Sequence, residues 1–189
     1  MDALMTALVV TLFAHAGGRL AVLAAQTVDQ TGRPGAVILG IVIAQLAIAA
    51  LAVQLGTVLG PGLTPEGRTL LLGLAIAGAG IGMLGRLPQR GSPYGLPQLG
   101  AMGTALLGGA VLMLVDSPAF VIAVAAARSP LPWAALPGAV IGTAGATLPA
   151  ILLGERAWRR LPLRLIRTGA GVVMLLAGLI IALAAKGLI

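Results

Sequence analysis

The chain has no cysteine, which excludes disulfides, thiolate metal sites and cysteine nucleophiles and removes any redox clue to compartment. Acids are nearly as scarce: five Asp and Glu in 189 residues, with one histidine, leave few places for a catalytic or metal-binding cluster. Charge of either sign makes up 9% of the residues, where a soluble domain carries roughly 25%, so the chain cannot coat itself for water. What is present is apolar. Hydrophobic residues reach 59% and mean hydropathy is +1.07, with 28 Gly and 12 Pro in that background. Membrane helices tolerate both of those residues better than soluble helices do.

Six apolar segments, 3–26, 36–58, 69–86, 99–127, 131–153 and 165–185, are each long enough to cross a bilayer, which takes about 20 residues. The expectation is a single all-α integral membrane domain over 1–189, with the lipid bilayer as its solvent. The breaks carry Asp29, Gly32, Arg33 and Pro34; Gly60 to Arg68; Arg86 to Pro97; Ser129, Pro130 and Pro132; and the basic run from Glu155 to Arg167. Arg33, Arg86, Arg90, Arg156, Arg159, Arg160, Arg164 and Arg167 fall on one side, against Arg68, Arg128 and Lys186 on the other. The positive-inside rule then puts both termini on the outer face of a multi-pass protein of a bacterial inner membrane. The net charge of +7 reads as a topology signal, not as a nucleic-acid patch. Residues 3–13 also look like a signal-peptide core ahead of Ala14-His15-Ala16. The absence of a leading Lys or Arg, and apolar sequence continuing through Ala25, argue for a retained span.

The two halves resemble each other at a shift of 98 residues. Pro34 falls on Pro132, Gly40 on Gly138, Gly56 on Gly154 and Gly80 on Gly178, while Arg68-Thr69 meets Arg167-Thr168 at a shift of 99. Three spans per copy force the second copy to enter from the opposite face. The expectation is therefore six transmembrane helices as two inverted three-helix repeats, 1–90 and 99–189, the arrangement in which transporter sites lie where the repeats meet.

Ionisable residues interrupt only two spans. The first holds His15, Gly17, Gly18 and Arg19, and the fourth holds Asp116, Ser117 and Pro118. A carboxylate at bilayer depth costs about 2.5 to 3.5 kcal/mol on insertion scales, so Asp116 is the leading functional residue. The shift places it on Gly18, so the two polar spots face each other. Gly17-Gly18 and Pro118 also break helices locally and free carbonyls for an ion. His15 and Arg19, four apart, share a helical face; His15 is either a proton relay to Asp116 or a ring bonded to backbone, and Arg19 either a gate or a fixed partner of Asp116. Gly78/Gly82 and Gly138/Gly142 read as helix-packing pairs, and Trp133 and Trp158 as interfacial anchors. No paired carboxylates, HExxH motif or activated serine is present, so no enzyme and no cofactor is expected.

From Ala127 onward the sequence resembles the second half of the GDT1 family, most specifically over LLGERAWRRLPLRLIR at 152–167, with a weaker likeness across the chain. The resemblance implies six spans in two inverted repeats and an exchange of Ca2+ or Mn2+ for protons. The family's Glu-x-Gly-Asp-Lys motif falls on His15-Ala16-Gly17-Gly18-Arg19 and on Met113-Leu114-Val115-Asp116-Ser117. Of the four acids that pair of motifs would supply, only Asp116 survives, as the one candidate metal ligand. Hard cations want many oxygen ligands, so the resemblance carries the fold further than the activity. The expected function is a divergent GDT1-like cation transporter with its site around Asp116. The alternatives are a transport-inactive membrane partner, or a small six-span exporter of another substrate.

Overall fold

A computed structural model describes residues 2–85, 99–115, 118–158 and 160–188. Among these residues eight α-helices run in chain order: α1 Asp2–His15, α2 Arg19–Thr31, α3 Pro34–Leu59, α4 Pro65–Leu84, α5 Gly100–Val115, α6 Pro118–Arg128, α7 Ala135–Trp158 and α8 Leu163–Ala185. Their ends follow local chemistry. Gly32 closes α2 in the left-handed region, Pro34 opens α3 with its preset φ, and the Thr64 hydroxyl accepts from Gly67 N at 3.1 Å ahead of Pro65. Among the described residues no strand is present.

Helices α3, α4, α7 and α8 are each long and apolar enough to cross a membrane unaided. The remaining four form two bent pairs, α1 with α2 at 64° and α5 with α6 at 68°, and counting each pair as one span gives six. The first and fourth apolar segments of the sequence are thus each bent sharply at a short break, as a broken span or a re-entrant loop is. Large apolar side chains such as Val58, Leu152 and Leu165 lie exposed on the outer surface, as lipid-facing positions of a multi-pass membrane protein do.

The packing is reciprocal. The first bent pair lies on α7, the second lies on α3, α3 and α7 touch each other, and α4 packs along α8. Glycines allow each approach. A Cβ on Gly40 of α3 would stand 2.7 Å from the Met102 carbonyl oxygen of α5, and one on Gly138 of α7 would strike the Leu4 carbonyl oxygen of α1. Between α4 and α8, a Cβ on Gly73 would lie 2.7 Å from Gly178 O and one on Gly80 2.7 Å from Gly171 O. Close backbone approach of this kind is how helices associate where lipid gives no hydrophobic drive.

Two readings of the sequence are corrected here. Gly138/Gly142 is a packing pair, with Gly142 against Thr11 of α1, but Gly78 and Gly82 sit on the exposed side of α4. The packing stripe of that helix is Gly73 and Gly80, seven residues apart on the face toward α8. Trp133 is half exposed, as an interfacial ring would be, whereas Trp158 is buried beside Ala21, Ala25 and Ala150. The cause is a kink in α7 at Gly154, whose φ of 72° turns the last helical turn inward; there Asp29 Oδ2 accepts from Glu155 N at 2.9 Å and Gln26 Nε2 donates to Glu155 Oε1 at 3.0 Å.

Candidate functional site

The first break is set by backbone. Ala16 N still donates to Leu12 O at 3.0 Å, but Gly17 takes φ 66°, Gly18 N turns back to His15 O at 3.0 Å, and helix resumes only at Arg19. A residue with a Cβ is strained at that φ. The bend also separates two residues that the sequence places on one helical face. His15 ends α1 and points into the bundle, 2% exposed, while Arg19 begins α2 and is exposed. The four-residue spacing puts side chains on one face only along a continuous helix, and this helix is not continuous.

Arg19 borders a cavity of about 260 Å³ between the two breaks. Gly18 and Arg19 contribute from the first break, Val115 and Pro118 from either side of the second, Gly82 and Met83 from the end of α4, and Arg167 from the start of α8. Asp116 and Ser117 lie outside the described residues. Their immediate neighbours on both sides border this cavity. The N-cap of α2, Gly18, has no side chain to accept from the first-turn N–H groups, so the positive end of the α2 dipole faces the same space. Gly17 faces Leu163 of α8 instead: a Cβ built on it would stand 3.6 Å from that side chain.

Sequence reasoning missed Arg167 as a site residue and counted it as a loop charge. Its guanidinium reaches back to the end of α4, Nε donating to Met83 O at 2.8 Å and Nη2 to Gly82 O at 3.1 Å. It thereby satisfies carbonyls that the helix end leaves open and brings a second cation to the cavity wall.

His15 belongs to a different cluster. Its Nδ1 lies 2.9 Å from Thr11 O and 3.4 Å from Thr143 Oγ1. A carbonyl oxygen only accepts, so Nδ1 carries the hydrogen and Nε2 of the neutral ring presents a lone pair, buried with no partner among the described residues. Thr11 hydroxyl bonds to Ala7 O at 2.7 Å, and Thr147 hydroxyl to Thr143 O at 2.8 Å. Between α3 and α7 a second cavity of about 40 Å³ is bordered by Gln45, Thr143 and Thr147 among apolar neighbours. These polar residues were also missed. Gln45 and Thr143 stand 98 apart, inside the second and fifth apolar segments, and that coincidence was the available signal.

Among the described residues no group of three or more His, Cys, Asp or Glu is placed to hold a metal ion. No family model matches the chain, and neither does any curated protein or solved structure.

Proposed function

We propose that the chain is a divergent GDT1-like transporter that moves a small ion through the space between its two broken spans, with Asp116 as the ion's acidic ligand. The observation that carries this reading is the 260 Å³ cavity, to which both breaks and the residues flanking Asp116 contribute. Discontinuous helices with their termini turned toward one cavity are how transporters expose backbone to an ion without exposing it to lipid. The reciprocal glycine contacts support the inverted-repeat arrangement: Gly40 with Met102 becomes Gly138 with Leu4 at the 98-residue shift, and Gly73 with Gly178 becomes Gly171 with Gly80. In that arrangement the two breaks meet near the middle of the bilayer and both termini lie on the outer side of a bacterial inner membrane.

By the resemblance, the cargo is Mn2+ or Ca2+ exchanged against H+. Divalent metal loading of proteoliposomes under a pH gradient tests it, the expected result being uptake above a protein-free control that falls at least tenfold in Asp116→Asn. A second reading, an exporter of another substrate, is favoured by Arg19, Arg167 and the α2 N-terminus on the cavity wall, which together suit an anion. Anion flux that is lost in Arg19→Ala but kept in Asp116→Asn selects it. A protein that moves neither kind of ion, yet co-purifies with another membrane protein, is the transport-inactive partner.

A further inference from the structure

The helices sort into two groups by where their backbones meet. In one, α4 and α8 touch backbone to backbone: a Cβ on Gly73 or Gly80 would stand 2.7 Å from the carbonyl oxygen of Gly178 or Gly171, and one on Gly171 would stand 3.0 Å from Gly80 O. Those pairings make the two helices antiparallel. In the other group, Gly40 and Gly56 of α3 meet α5 and α6 at Met102 and Ala123, and Gly138 and Gly142 of α7 meet α1 at Leu4 and Leu8. Helix α2 is tied to this second group by the bonds of Asp29 and Gln26 to Glu155 of α7. Among the described glycines, none whose added Cβ would fall within 3.0 Å of another helix's backbone joins one group to the other.

What lies between the groups is side-chain packing. Val10 of α1, Val121 and Val124 of α6, Ile76 and Met83 of α4 and Met174 of α8 share one apolar cluster. Backbones in direct contact leave no slack, whereas side chains packed on side chains, flexible methionines among them, can re-pack as helices slide by small amounts. The larger cavity lies on this seam. Gly82, Met83 and Arg167 border it from the α4–α8 pair, and Gly18, Arg19 and Pro118 from the other group.

We propose that α4 and α8 move as one rigid pair against a body made of the other six helices, and that this movement opens and closes the cavity between the breaks. Arg167 is bonded to the Met83 and Gly82 carbonyls, so it travels with the pair, while Arg19 stays with the body. The movement therefore changes the separation of two cations on the cavity wall. The division into two bodies stands on the packing; its use in transport rests on the transport reading.

The test is distance measurement between paired nitroxide labels by electron spin resonance in lipid nanodiscs. The chain has no cysteine of its own, so only introduced cysteines carry label. Leu84→Cys with Ile180→Cys lies within the pair, toward its opposite ends; Leu84→Cys with Leu39→Cys, and Ile180→Cys with Leu55→Cys, span the seam. All four side chains are exposed, so the substitutions leave the packing as it is. Within the pair one narrow distance is expected, the same in metal-free protein, with Mn2+ and at acidic or alkaline pH. Across the seam two distances are expected, about 2 Å or more apart, as for helix shifts between two packings of one interface. On the transport reading Mn2+ and pH change their weights, because an ion that binds one state better populates it. One unchanging distance across the seam in every condition overturns the proposal, and so does a within-pair distance that shifts along with the others. Two distances across the seam in a protein that carries no ion flux sustain the two bodies and remove only the transport role.

Discussion

Two cavities of this bundle differ in what surrounds them, and the difference follows from how their helices run. The larger one lies where helices stop and restart, so it is walled by Gly18, by the open first turn of α2 and by two guanidiniums. The smaller lies between α3 and α7 along stretches where both helices run on, and Gln45, Thr143 and Thr147 supply its polarity. Broken backbone brings charge and helix dipoles; unbroken backbone admits only neutral side chains. His15 stands between the two, adjacent in sequence to Ala14 on the larger cavity and in contact with Thr143 on the smaller.

The strongest way to break this contrast is to force α7 away from α1, which carries the contact between His15 and Thr143. Gly138→Leu drives a side chain into the Leu4 carbonyl, and overpacking of that sort costs roughly 1 to 3 kcal/mol. Thermal unfolding in detergent is expected to drop by about 5 °C or more, and Gly40→Leu at the corresponding contact by a similar amount. A tolerated leucine at Gly138 would mean that α1 and α7 do not approach as described.

Arg167→Ala acts on the larger cavity alone. It leaves the Met83 and Gly82 carbonyls without their donor, and for a partly exposed guanidinium the expected loss is about 1 kcal/mol. Thr147→Val is the converse and the smallest effect. Its hydroxyl bonds within its own helix, and such bonds in membrane bundles average about 0.6 kcal/mol. Stability is expected to change little, and so is ion transport through the break cavity; flux that fell as far as in Asp116→Asn would merge the two cavities into one site.

Much of the architecture was legible because the membrane imposes it. Length and hydropathy give six apolar segments, and the described helices fall on them, four long enough to cross unaided and two as bent pairs, with ends set by Gly32, Pro34, Pro65 and Pro118. The two bent pairs were foreshadowed by Gly17-Gly18 and by Pro118. Side-chain direction was not legible. His15 and Arg19 share a face only if the helix continues, and a glycine at φ 66° decides that it does not. Gly78 and Gly73 look equivalent as letters, and only the roll of α4 against α8 separates exposed from packed. Arg167 read as one of eight topology charges because nothing local says that a loop arginine folds back onto a neighbouring helix end. Gln45 escaped notice because a search for charge passes over a neutral amide.

On the proposed transport reading, an ion passes between the two breaks with Asp116 as its acidic ligand. Mn2+, Ca2+ and H+ fluxes in proteoliposomes, wild type beside Asp116→Asn, test it most directly. Metal uptake coupled to proton movement is expected in wild type, with at least a tenfold loss in the variant. Equal metal uptake by the two proteins, or no flux above the protein-free control in either, would contradict it.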